Sequence, residues 1–400
     1  MSLGIVVAPP TDGRAAARSV CWSTWSKRWF DALERHPRVT AGSRENPPTV
    51  WVLYAEASFD LDWPRYDLSG RNYEVATRPD CEDHAWAQTE RAIPAALHQL
   101  ATITPPARRG DPPALLVVLS GRPMPLVRGG GGGGGGNGSN ATTASGGVAL
   151  VRASLEFELR RQPSHRLRPR RDLPMPPAPT LRPSDLAVLR ALPPPPHGAA
   201  SDGTCGDGYA TRYLASFRGR SNHPVRAQLA AAFRRASTSK QQQQQHRQQR
   251  QHYRYLVEVV HTSPADERRA QYLDVLNTSF ALVPRGHSLW SYRMVEALAA
   301  GAVPVLVADR LPLPFDGLAG VRWSDFSLTH AEGKVHTLPA RLAAMVATPS
   351  GRAQVCTMRR AARRAFDLHF GTIEAQVDTF VEALLGLRAQ WPARTRGGGS

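Results

Sequence analysis

Between Tyr213 and Ala308 short apolar runs alternate with stretches of helical period, and this alternation constrains the fold more than any other feature of the chain. Tyr213–Phe217 reads as a strand. A helix follows to about Ala236, with Asn222 as its cap and Pro224 tolerated in its first turn. Tyr255–Val260 reads as a second strand and Ala265–Leu276 as a second helix. Phe280–Val283 reads as a third strand, Ser291–Ala300 as a third helix and Val303–Ala308 as a fourth strand. Strands alternating with helices in this way predict a parallel sheet with helices on both faces. Three more helical stretches follow, at His336–Ala347, Gly351–Phe366 and Thr372–Leu387.

The N-terminal half is less regular. Val50–Tyr54 and the apolar run Ala114–Leu119 read as strands, and Ala85–Leu100 as a helix interrupted by Pro94. Trp22, Trp25 and Trp29 recur at helical spacing and predict a packing face. Low-complexity segments punctuate the chain: the glycine tract Gly129–Gly136, a proline-dominated stretch from Pro163 to Pro196, and a glutamine tract beginning at Gln241. Such compositions favour flexible or extended insertions over packing. A glutamine tract between a helix and the next strand can be absorbed as a surface connection. The 400 residues leave room for two domains with separate cores.

Fifty Lys and Arg against 33 Asp and Glu give a net charge of +17, which favours polyanionic partners or is simply arginine-rich coding. No RNP, zinc-finger or helix-turn-helix signature accompanies the charge, so no nucleic-acid partner is expected. The four cysteines, Cys21, Cys81, Cys205 and Cys356, form no CxxC pair; no metal site is expected, and one or two disulfides stay open. No stretch of about 18 residues is free of charge and turn-formers, so no membrane span is expected. The first residues show no basic start followed by an apolar run, hence no visible signal or anchor.

The stretch Val283–Phe315 carries most of the chemistry. A buried strand delivers the chain to Pro284-Arg285-Gly286, and a polar loop feeds the helix that Ser291 can cap. In open parallel sheets ligands bind beyond the carboxyl ends of strands, and a helix N-terminus favours phosphate. Arg285 and Arg293 add formal charge there. Arg293 and Glu296, three apart, reach the same side of the helix. A cation for a diphosphate thus lies beside a carboxylate able to accept from ribose hydroxyls. The alternative is an ordinary solvated ion pair.

The run Asn277-Thr-Ser-Phe-Ala-Leu-Val-Pro-Arg-Gly, followed by Ser291-Tyr-Arg-Met-Val-Glu-Ala-Leu, Pro304-Val and Leu313-Pro-Phe, resembles the core of the exostosin family of glycosyltransferases. Tyr213-Leu-Ala-Ser-Phe-Arg-Gly-Arg is similar to that family's strand ending in Phe, a basic residue and Gly, and Phe370–Leu384 to its last helix. The resemblance covers about Tyr209–Arg388. It implies an α/β fold of GT-B type, two Rossmann-like domains facing a cleft, here with disordered low-complexity insertions. The implied division is a tail at 1–19, an acceptor-side α/β domain at 20–127, an insertion and linker at 128–204, a nucleotide-sugar-binding domain at 205–390 with the glutamine-rich insertion 238–252, and a disordered tail at 391–400.

By this likeness Arg218, Arg285, Ser291 and Arg293 surround the diphosphate of a UDP-sugar, Glu296 meets the ribose, and Asp309 is a further site candidate. No metal or other cofactor is implied, since arginines and a helix terminus can neutralise a leaving diphosphate. The acceptor is a glycan, possibly an acidic one; the family sits in the Golgi lumen on an N-terminal anchor that this sequence does not show.

Trp63-Pro64-Arg65-Tyr66 is similar to an element of exostosin domains, whereas Gly70-Arg71-Asn72 is followed by Tyr73 where many members have His. The catalytic base is therefore unassigned among Asp60, Asp62, Asp67, Asp83 and His84. Asp60-Leu61-Asp62 mimics a metal signature without supporting ligands, and Gly286-His287-Ser288 lacks the second glycine of a nucleophile elbow. Arg359, Arg360, Arg363 and Arg364 are expected to form a solvated face. Asn137, Asn140 and Asn277 fit the N-glycosylation pattern. Two other readings are an inactive exostosin-like partner subunit and a basic polyanion-binding protein.

Overall fold

The computed structural model describes residues 3–7, 24–40, 50–54, 100, 114–120, 143–144, 148–154, 172–176, 185, 187–189, 211–238, 254–259, 273–286 and 289–391. The glycine and glutamine tracts and all five base candidates lie outside the described residues, as do most of the proline-rich stretch and most of the expected helices at Ala85–Leu100 and Ala265–Leu276.

The first sheet is built from β1 (Leu3–Val7), β2 (Val50–Tyr54), β3 (Ala114–Ser120), β4 (Thr143–Ala144), β5 (Val148–Ser154) and β6 (Asp172–Pro174). Its order is β1-β2-β3-β5, with β6 parallel on β5 and the short β4 antiparallel beside it. The first sheet thus draws β1 from residues 1–19, expected as a tail, and β4, β5 and β6 from 128–204, expected as insertion and linker. The physical reason is local: Val151, Ala153 and Leu173 are fully buried, so short apolar segments inside a Gly/Pro-rich region still find a sheet edge.

The second sheet contains β7 (Tyr213–Gly219), β8 (Tyr255–Val259), β9 (Thr278–Pro284), β10 (Val303–Val307) and β11 (Leu328–Thr329), all parallel, in the order β8-β7-β9-β10-β11. Every residue of β9 and β10 is buried, as expected of central strands covered on both faces. Alternation splits their side chains between two cores. Phe280, Leu282, Val303, Val305 and Val307 pack with residues of α2 (Pro224–Thr238) and α4 (Leu338–Ala347). Val283 and Leu306 pack on the other side, in the core shared by α3 (Arg293–Ala299), α5 (Pro349–Ala365) and α6 (Ile373–Ala389).

Two features join the ends of the chain. Trp29, fully buried on α1 (Thr24–Glu34), meets Phe380 of α6 edge-on at 5.1 Å, which bears out the packing face at that tryptophan. Just beyond α1, Arg38 pairs with Glu382 at 2.8 Å and His36 with Asp378 at 3.2 Å.

The expected solvated arginine face on α5 is corrected at Arg359 and Arg363, while Arg364 is exposed. Arg359 is only 4% exposed and donates from Nε to the Gly301 carbonyl at 2.9 Å, while Arg363 donates to the Ala299 carbonyl at 2.6 Å. These two side chains satisfy carbonyls at the end of α3, where a helix has no internal partners and favours cations. Cys356, buried on the same helix, is disulfide-bonded.

Candidate functional site

The second sheet reverses its direction of growth between β7 and β9: β8 lies on one side, β10 and β11 on the other. Such a switch point leaves a crevice beyond the carboxyl ends of the two strands. Here those ends are Phe217-Arg218-Gly219 and Pro284-Arg285-Gly286.

Arg293, the first residue of α3, is 9% exposed. Its guanidinium lies 5.6 Å from the centre of the Phe217 ring, donates from Nη2 to the Arg218 carbonyl, and places Nε 3.9 Å from Glu296 Oε2. Glu296 is 5% exposed, so the solvated-pair alternative is excluded. Burial pulls the Arg293 guanidinium down from the usual arginine range to about 10.

A second arginine shares the same ring, and sequence reasoning missed it. Arg226, in the first turn of α2, lies 5.5 Å from the Phe217 centre and donates from Nε to the Arg285 carbonyl at 2.9 Å and from Nη1 to the Arg220 carbonyl at 3.0 Å. Burial, with the charge of Arg293 adding to it, brings Arg226 down to about 10 as well. A signal was present: α2 has no acidic residue in its first turn, and a cation there opposes the helix dipole, so Arg226 is placed against local preference.

Arg285 is held through its backbone, donating its N–H to the Val307 carbonyl at 3.1 Å. Its Nε is buried without a hydrogen-bond partner, and its Nη1 stands 3.7 Å from Glu332 Oε1. Gly286 permits the close approach of this loop to α2. A Cβ there would sit 3.1 Å from Arg226 Nη2 and 3.1 Å from Asn222 Nδ2. Asn222 Oδ1 is also buried without a partner. It does not cap α2: His223 stands at that position, its Nδ1 accepting from the Val225 N–H at 3.3 Å.

Three other expectations change. Arg218 reaches the site through its carbonyl; its side chain points to the sheet face opposite Phe217, where Nη1 meets Glu258 Oε2 on β8 at 3.4 Å. Ser291 lies one residue before the start of the turn, and its Oγ accepts only a long bond from the Arg293 N–H at 3.4 Å. Tyr292 occupies the cap position with helical backbone angles, and α3 has seven residues, so the expected helix-terminus cradle is not formed by Ser291. Asp309 turns its carboxylate away from the arginines, accepting from the Glu332 N–H at 3.1 Å, while its own N–H donates to Glu332 Oε1 at 2.9 Å.

The assembled group is Arg226 and Arg293 on the Phe217 ring, with Arg285 joined to Arg226 through its carbonyl and Glu296 and Asn222 beside them. Partly desolvated cations at a switch point suit a ligand with dense negative charge.

Residues 181–345 match the Exostosin GT47 domain. Among curated proteins, "Probable glucuronoxylan glucuronosyltransferase IRX7" of Arabidopsis thaliana is 44% identical over 75 residues, 19% of this chain and 16% of the relative. The "Exostosin-1 homolog" of Caenorhabditis elegans is 32% identical over 111 residues, 28% of this chain and 27% of the relative. "Exostosin-1" of Drosophila melanogaster is 29% identical over 119 residues, 30% of this chain and 15% of the relative. The matched segments thus span between 15% and 27% of these relatives' lengths. Among solved structures, Anabaena Alr3699/HepE in complex with UDP covers 95% of this chain and 99% of its own at 11% identity, with a TM-score of 0.33. The matched domain spans β7, β9, β10, α2 and α3, and with them every arginine of the cluster. Over residues 181–345 this chain is similar to the Exostosin GT47 domain.

Proposed function

We propose that the chain is a glycosyltransferase that moves a sugar from a UDP-sugar to a glycan acceptor, with the donor's diphosphate among Arg226, Arg285 and Arg293. The observation that carries this reading is the pair of half-buried Arg226 and buried Arg293 over the same Phe217 ring at the switch point, both lowered to about 10 by desolvation. Crowding two cations where neither is well solvated costs folding free energy and is offset when an anion arrives between them.

In the reaction the bond between the anomeric carbon and the diphosphate breaks as the acceptor oxygen attacks, and negative charge grows on the departing UDP. The guanidinium donors of Arg226 and Arg293, held by backbone carbonyls, stabilise that charge without reorganising. The reading assigns no step to a metal. Glu296, on the same helix face as Arg293, accepts from ribose hydroxyls. The acceptor's proton goes to a base outside the described residues. The names of the matched plant relatives make UDP-glucuronate the first donor to test. The disulfide at Cys356 supports an oxidising compartment, in keeping with the Golgi lumen expected from the family. No described helix is long and apolar enough to cross a membrane.

The test is a titration of the full chain with UDP, alongside Arg293→Ala and Glu296→Ala, followed by release of UDP from a panel of UDP-sugars. Saturable binding in the wild type, weakened in both variants, is expected. Affinity unchanged in both variants would refute the site.

A further inference from the structure

The reading of Arg285 as a diphosphate ligand leaves one carboxylate unexplained. Glu332, at the start of the 3-10 turn Glu332–Thr337, stands with Oε1 3.7 Å from Arg285 Nη1, and the two side chains are only 18% and 12% exposed. A carboxylate in that position works against an anion site, because it neutralises the nearest cation. Nor is its position accidental. Asp309, just after β10, holds Glu332 in a two-way clasp, accepting its N–H at 3.1 Å and donating to its Oε1 at 2.9 Å. The clasp fixes Oε1, the same atom that faces Arg285. Arg285 in turn is pinned by its backbone on both sides, to Val307 and to Arg226, so only its side chain is left to move. At 3.7 Å the contact with Glu332 is an ion pair and not a hydrogen bond, and Arg285 Nε has no hydrogen-bond partner.

We infer that Glu332 is a positioning residue of the donor site, a built-in counter-ion that holds the Arg285 side chain in the absence of ligand and yields it to the diphosphate. The clasp with Asp309 keeps the carboxylate within reach, so Arg285 returns to it when UDP leaves. The counter-ion therefore lowers the affinity of the site for UDP and speeds product departure. This inference rests on the donor-site reading above, and it gives Asp309 a role without contact to the ligand.

Glu332→Gln isolates the charge, since the amide oxygen can still accept from the Asp309 N–H. By calorimetric titration with UDP, the variant is expected to bind about tenfold more tightly than the wild type, the scale of one partly screened charge pair. The rate of UDP dissociation is expected to slow by a similar factor. In an Arg285→Ala background the same substitution is expected to change affinity by less than about twofold, because the coupling runs through Arg285. A merely structural Glu332 would instead lower affinity and melting temperature together in both backgrounds. Should the glutamine variant fail to fold, Glu332→Met removes the same charge and carries the same expectation. Wild-type binding with unchanged or weaker affinity in the charge-removed variant overturns the counter-ion role, as does a full effect that persists without Arg285. Absence of UDP binding in the wild type overturns the donor-site reading and this inference with it.

Discussion

Replacing Arg293 with methionine separates what the residue does for the fold from what it does for a ligand. The drop of its guanidinium from the usual arginine range to about 10 corresponds to about 3 kcal/mol against the charged form in the folded state. A base whose folded value is depressed destabilises the fold at any pH below that value and is relieved only as pH rises above about 10 toward the unfolded arginine's value, so the full cost is present at neutral pH. Methionine removes it and can rest against Phe217, whose ring lies beneath the guanidinium. Two losses oppose the gain. The Arg218 carbonyl forfeits a donor, about 1–3 kcal/mol, and Glu296 loses the cation 3.9 Å away. Gain and loss are of one size, so stability by urea denaturation is expected within about 2 kcal/mol of the wild type. Binding has no such compensation: loss of a charge-assisted contact of about 1.5–3 kcal/mol weakens UDP by roughly 10- to 150-fold. A variant destabilised by more than about 4 kcal/mol, whose folded fraction binds UDP as well as the wild type, would show that Arg293 serves the fold alone.

Gly286→Ala sets a methyl group 3.1 Å from both Arg226 Nη2 and Asn222 Nδ2, so titration should show weaker UDP binding with little change in melting temperature. Trp29→Ala removes a fully buried indole from between α1 and Phe380, and chemical denaturation should register a loss of about 3–5 kcal/mol. His369, lowered by burial and bonded to Thr379 Oγ1 at 3.0 Å, stays neutral in the fold below the pH at which the unfolded chain takes up its proton. Stability should therefore fall as pH drops below about 6.5, and melting curves of His369→Gln should show a shallower fall.

The strands of the second sheet were legible because β9 and β10 are unbroken apolar runs, and a strand buried on both faces needs nothing else. Arg293 and Glu296 were legible by their spacing, which survives whether the helix begins at Ser291 or, as it does, at Arg293. Arg218 was misplaced for a reason the sequence also contains: adjacent residues of a strand face opposite ways, so a ring at Phe217 that lies under the site sends the next side chain to the other face. Arg226 was passed over because an arginine early in a helix looks like any polar surface residue until the carbonyls of Arg285 and Arg220 are seen to converge on it. Glu332 lies 47 residues beyond Arg285, and only the closing of β11 onto β10 brings it back. The strands β1, β5 and β6 are too short, at seven residues or fewer, for their apolar runs to stand out from the sequence around them. Their burial comes from neighbours in the sheet and not from local pattern.

The grip of Arg359 and Arg363 on the last carbonyls of α3 has a bearing on how sequence variants of this chain are to be interpreted. A seven-residue helix has little cohesion of its own, and its register against β9 is set from behind by two side chains about sixty residues downstream. A genetic screen scoring loss of the proposed transfer would return both arginines as if they touched the proposed donor. Soaking crystals of such a mutant with ligand would find the damage at the front of α3, a full helix length from the altered residue.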